Sequence, residues 1–120
     1  MPLYVQRLTK TAIRPTRATE GAAGFDLYAD ETVTIQEYRR AWVSTGIAVA
    51  IAPGYVGLVV SENESLIANK IISSNDRTEI KLSLWNSTPH KKSIHRGDII
   101  GKFITIPFIV QNIIEVEKLP

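Results

Sequence analysis

Apolar and polar residues alternate along much of this chain with a period of two, the spacing of strands that rest one face on a core. The pattern is clearest in Ile80-Lys81-Leu82-Ser83-Leu84-Trp85, where Ile80, Leu82 and Leu84 share one face and Lys81, Ser83 and Trp85 the other. Residues 32–35 and 41–45 are rich in β-branched and aromatic side chains, and Gly46 separates the second segment from the apolar run 47–51. Pro53-Gly54 predicts a turn and residues 56–60 a return strand, so this region reads as a hairpin. Arg96-Gly97-Asp98 predicts another turn, before a strand over 99–106 that Pro107 closes. No segment longer than about ten residues shows the 3.6-residue period of a surface helix, although residues 65–72 have room for one short helical turn. Short strands at such intervals predict an all-β sandwich or barrel-like architecture.

Length and composition narrow the picture. With 120 residues the chain buries one core, so a single domain over 1–120 is expected. An apolar content of 44% and a charged content of 22% argue against disorder. The net charge of +2 comes from 14 basic and 12 acidic residues dispersed along the chain. The basic pairs Arg39-Arg40 and Lys91-Lys92 read as solvated loop charges, and no nucleic-acid polymer is expected as a partner. The absence of cysteine excludes disulfides and thiolate metal sites, and His90 and His95 alone are too few for a structural zinc centre. The first residues lack a basic region followed by an apolar stretch, and no apolar run nears the roughly 20 residues that span a bilayer. An intracellular protein, cytoplasmic or nuclear and away from membranes, is the expectation.

Several segments together carry a family resemblance. Residues 11–18, then Ala23-Gly24-Phe25-Asp26-Leu27-Tyr28-Ala29, Val43-Ser44-Thr45-Gly46-Ile47, Pro53-Gly54-Tyr55 and Arg96-Gly97-Asp98-Ile99-Ile100 resemble, in order and spacing, the trimeric dUTPases. The resemblance implies a distorted jelly roll of the β-clip type. It also implies a homotrimer whose subunits share each active site and exchange a C-terminal strand, which covers sheet edges that otherwise invite aggregation. The implied activity is hydrolysis of dUTP to dUMP and pyrophosphate. That chemistry needs a carboxylate to orient and deprotonate water, donors for the phosphates, and magnesium across phosphate oxygens.

Five motifs supply these groups in the family. The first is matched at residues 23–29, and Asp26 is its acidic residue near the metal-bound phosphates; a purely structural role for Asp26, capping a bend in a strand, is the alternative. The second, an arginine followed by serines, corresponds to Ser61-Glu62-Asn63-Glu64-Ser65, where carboxylates stand in place of positive charge and Ser65 is a phosphate-binding remnant. In the third, aligned on Glu79-Ile80, Ser73 takes the place of the catalytic aspartate, Asp76 that of the sugar-stacking tyrosine and Thr78 that of a glycine. Serine is no general base near neutral pH, and losing the carboxylate removes about 10²–10⁴ in rate. Asp76 is the candidate replacement base, against the simpler reading of residues 73–76 as a polar turn at a hairpin tip. In the fourth, Lys102 replaces a phosphate-contacting glutamine and Ile99 an arginine; Lys102 can meet phosphate as a point charge or point into water. The fifth, a glycine-rich closing arm, has no counterpart before Pro120.

These departures predict a dUTPase-like protein that has lost hydrolysis and serves as a trimeric binding or interaction module with a protein partner and no cofactor. Loops at 62–64 and 73–78 are its candidate contact surface. Two alternatives stand beside it. One is a residual or altered magnesium-dependent dUTP diphosphatase with Asp26 in its site, and the other a structural trimeric subunit of a virion or phage. The aromatics Trp42, Tyr55, Trp85 and Phe108 are assigned first to core or subunit-interface packing.

Overall fold

The computed structural model describes residues 2–61 and 65–120. Eleven strands succeed one another: β1 (Tyr4–Arg7), β2 (Phe25–Tyr28), β3 (Val33–Ile35), β4 (Arg40–Ser44), β5 (Ile47–Ala50), β6 (Tyr55–Val60), β7 (Leu66–Ile67), β8 (Asn69–Ile72), β9 (Lys81–Asn86), β10 (Lys92–Ile94) and β11 (Ile99–Pro107). Among the described residues there is no helix. All pairings are antiparallel and make four small sheets, β1-β5, β10-β3, β2-β11-β6-β8 and β4-β9-β7.

The period-two pattern buries the expected face. Ile80, Leu82 and Leu84 are almost fully enclosed and join Val43, Leu27, Val59 and Phe103 in one apolar cluster between the larger sheets. Enclosing each such side chain contributes about 1.5–3 kcal/mol. Asn86 ends β9 inside this core, and its amide is saturated. Nδ2 donates to the carbonyls of Ile35, Gln36 and His90, while Oδ1 accepts from the amide and hydroxyl of Thr88.

Two expectations about connectivity are corrected. Residues 47–60 do not form a hairpin: β5 pairs with β1, whereas β6 pairs with β11 and β8. The turn is present, with Gly54 at φ 86°, but it carries the chain from one sheet to another. Three residues of β5 are buried, so a sheet partner and the core both claim it. Residues 65–72 hold no helical turn; they form β7 and β8. The turn at 96–98 forms as expected, with Gly97 at φ 93°, Asp98 accepting the His95 amide on its carboxylate and donating its own amide to the His95 carbonyl.

Candidate active site

Asp26 sits in the middle of β2 and is buried, with its amide donated to the carbonyl of Thr16 at 2.7 Å. The residue facing it across the ladder to β11 is Lys102. That pairing depends on an irregularity: Ile99 pairs with Tyr28 and Gly101 with Leu27, leaving Ile100 as an extra residue. Without this bulge Gly101 would stand opposite Asp26; with it, the lysine does. Gly24 permits the same approach. A Cβ there would lie 2.7 Å from Lys102 Cγ and 2.8 Å from the Phe103 carbonyl oxygen, so the glycine answers a close contact between strands. The row continues through Val60 to Asn69, giving a carboxylate and an ammonium-bearing side chain on one face of the β2-β11-β6-β8 sheet.

The other motif positions lie at the far end of β8. The Asp76 amide donates to the carbonyl of Ser73 at 3.1 Å, which closes a polar turn as expected. The turn is not a hairpin tip, because β8 pairs with β6 while β9 pairs with β4 and β7. Ser73 is exposed and its hydroxyl donates to Asn75 Oδ1. Asp76 Oδ1 accepts both the amide and the hydroxyl of Thr78, at 2.8 and 2.7 Å. Those two bonds, the hydroxyl first, hold the Asp76 carboxyl below the usual carboxylate range against a smaller opposing effect of burial, with Lys70 and Arg77 assisting. It is therefore a carboxylate throughout the neutral range. Ser65 is fixed at the start of β7, its carbonyl accepting from the amide and hydroxyl of Ser87. The acidic loop 62–64 lies outside the described residues.

One subunit does not bring these groups together. From Asp26 to Asn69 is three strand steps and from Asn69 to Ser73 four residues, a separation of about 20 Å at ordinary sheet spacings. Among the described residues no three His, Cys, Asp or Glu side chains are grouped to cage a metal ion. Nor is any helix long and apolar enough to cross a membrane.

Comparison with known proteins fixes the family, since the pattern of the dUTPases matches residues 10–120. This chain belongs to the dUTPase family. The deoxyuridine 5′-triphosphate nucleotidohydrolase of Tropheryma whipplei is 37% identical, over 98% of this chain and 87% of its own length. That of Paramecium bursaria Chlorella virus 1 is 32% identical over 98% and 87%. In structure the chain superimposes on a mutant of the dUTPase of Staphylococcus bacteriophage 80alpha, solved with dUpNHpp, with a TM-score of 0.90 at 22% identity over 98% of this chain and 97% of the other. The dUTPase of phage phi11 of S. aureus gives 0.91 at 21% identity over 99% and 98%. The fold is thus the distorted jelly roll of the dUTPases. A variant of the phi11 enzyme is described with a coordinated structural Mg(II) ion.

The expected loss of hydrolysis is corrected by these relatives. Chains alike over nearly the whole of this one are named as dUTP nucleotidohydrolases, so changes at separate motif positions do not place it outside the enzymes. The Asp76 carboxylate is hydrogen-bonded and ionised on the same turn as Ser73. The reading as a binding or interaction module without catalysis falls with it.

Proposed function

We propose that the chain is a dUTP diphosphatase producing dUMP and pyrophosphate. The observation that carries this reading is the likeness to named dUTP nucleotidohydrolases over almost its full length. In this assignment Asp26 and Lys102 face the triphosphate from the β2-β11 ladder, Lys102 as a point charge, and Ser65 supports the phosphates from the turn just before β7. Asp76 orients the attacking water and takes its proton. Both Thr78 bonds fall on Oδ1, and Oδ2 is the oxygen we assign to the water.

The donor set fits a magnesium ion carried in on the triphosphate better than one caged by protein, because no cluster of three candidate ligands exists among the described residues. Asp26 is the side chain that would face it. Bound there, magnesium neutralises charge on the phosphate oxygens.

The separation of Asp26 from Asp76 argues for a site assembled from different copies. Residues 108–120 point the same way: Ile109, Ile113 and Ile114 are 83%, 97% and 80% exposed, an apolar stretch of the kind that marks an interaction surface. We assign a homotrimer in which this segment packs on a neighbouring copy.

The test is pyrophosphate release from dUTP with magnesium, on the wild type and on Asp26→Asn, Asp76→Asn and Ser73→Ala. Wild-type turnover that vanishes in Asp26→Asn, falls about 10²–10⁴-fold in Asp76→Asn and persists in Ser73→Ala supports the assignment. Wild-type turnover no greater than that of Asp26→Asn overturns it, and full activity in Asp76→Asn removes the base.

A further inference from the structure

The outer face of the β4-β9 pair carries an aromatic and basic strip whose Arg40, Trp42, Lys81 and Trp85 have no part in the hydrolytic assignment above. Arg40, Trp42 and Ser44 alternate outward on β4, directly across from Trp85, Ser83 and Lys81 on β9. The intervening residues Val43, Leu82 and Leu84 are core. Trp42 is 66% exposed, the most open position a ring of that size takes on these strands, and its cross-strand neighbour is the small Ser83. At its side a recess of about 640 Å³ is lined by Trp42, Lys70, Lys81, Thr78 and Glu79. Lys70 Nζ donates to the carbonyl of Lys81 at 3.2 Å, which ties its ammonium to this edge of the face. Glu79 is the one acid in the recess, and one of its oxygens is engaged by the Gly46 amide. Further along, the Arg40 guanidinium stands 5.9 Å from the centre of the Trp85 ring. Across the sheet the order is Trp85, Arg40, Trp42, Lys81, Lys70: two rings with one cation between them and two more cations beyond.

We infer that this face binds a short stretch of single-stranded nucleic acid, a base stacking on Trp42 and phosphates meeting Arg40, Lys70 and Lys81. Open aromatic faces with interleaved cations on a sheet suit such a strand, because every base offers a π-face and the backbone a regular line of charge. Charge complementarity selects this occupant over a neutral or basic partner, and the open ring selects it over a purely acidic peptide. Dispersed charge along the chain hid the strip: its five residues come from β4, β8 and β9.

The experiment uses the assembled protein and fluorescein-labelled oligo-dT of about ten nucleotides, read by anisotropy and by tryptophan quenching, with magnesium-free buffer to prevent turnover. Binding is expected to weaken about five- to hundredfold in Trp42→Ala, to return in Trp42→Phe, and to fall in Lys70→Glu/Lys81→Glu. Three phosphate contacts on a single strand give a log–log salt slope of about −2. These side chains are exposed, and equal melting curves will show that the variants fold. The inference is overturned by no oligo-dT binding, by binding unchanged in Trp42→Ala, by equal competition from poly-glutamate, or by competition from dUMP that places the oligonucleotide in the hydrolytic site. Oligonucleotide binding is read without dUTP or magnesium, and Trp42 is outside the residues assigned to hydrolysis, so the two proposals fail separately.

Discussion

Replacing Asn86 with alanine removes the most densely bonded side chain of the core, and the structure allows its cost to be worked out. The amide makes five hydrogen bonds, three as donor to backbone carbonyls and two as acceptor from Thr88. Two N–H groups serve three carbonyls, so one bond is shared and the set counts as roughly four of ordinary strength. At about 1 kcal/mol net for each, the substitution costs about 3–4 kcal/mol, and the carbonyl of buried Ile35 is left without its side-chain donor while those of Gln36 and His90 lie nearer the surface. With a urea slope of about 2 kcal/mol per molar, the midpoint moves down by about 1.5–2 M. Urea unfolding followed by tryptophan fluorescence measures this, at one fixed protomer concentration since association shifts apparent stability. Asn86→Asp keeps the acceptor and loses the donors, and faces three carbonyls with a carboxylate; it is expected to cost at least as much as alanine. A midpoint shift below about 0.5 M for alanine, or an aspartate variant as stable as the wild type, would refute the bonding scheme and the amide orientation behind it.

Two further perturbations probe the packing around the site. Asp30 is buried; burial raises its pKa, but the hydroxyls of Thr9 and Thr11 and the charge of Arg96 together bring it below the ordinary value. A carboxyl depressed in the folded state stabilises above its unfolded pKa and loses that contribution as pH falls through the folded one. Thr9→Val, which removes the 2.6 Å bond to Oδ2, is therefore expected to cost about 1.5–3 kcal/mol at pH 7 and progressively less below about pH 4; urea midpoints giving equal losses at pH 7 and pH 3 would contradict the role of the carboxylate. Gly24→Ala places a methyl against Lys102 Cγ and the Phe103 carbonyl, and since backbone cannot step aside it should cost about 1–3 kcal/mol and lower dUTP turnover by displacing Asp26 from Lys102; a variant with unchanged kcat and melting temperature would show that β2 tolerates the shift.

What could be read from the sequence, and what could not, divides along the range of the interactions. The strand β9 was plain because alternation over six residues is a local property of a sheet with one buried face, and β11 because a long β-branched and aromatic run follows the turn at 96–98. The partner of β5 was not. A turn at 53–54 implies a hairpin locally, and only tertiary structure shows that β1, some forty residues upstream, takes that edge. Residues 65–72 misled for a related reason: Leu66, Ile67, Lys70 and Ile71 fall at helical spacing, yet Ile71 is 74% exposed and the segment is held extended by β6 and β9. At the site, the run around Asp26 was legible, but the bulge at Ile100 that puts Lys102 opposite it was not, since one extra residue in a strand leaves no mark in an apolar run.

The same limit of range explains the misjudged activity. Judged one at a time, Ser73 and Asp76 are losses of an aspartate and a tyrosine, and a lost base counts as a lost reaction. Placed on one closed turn, they put an ionised carboxylate three residues from the vacated position, held by Thr78 where a glycine offers no hydroxyl. Under the proposed assignment Thr78 is then a positioning residue. In the proposed assignment the site is built across subunits, because Asp26 on β2 and the turn after β8 lie about 20 Å apart on the same sheet of one copy. The relative placement of its halves is set by association and not by the register of one sheet. On the proposed reading, catalysis is a property of how copies meet, and a carboxylate on the correct turn counts for more than one at the correct index.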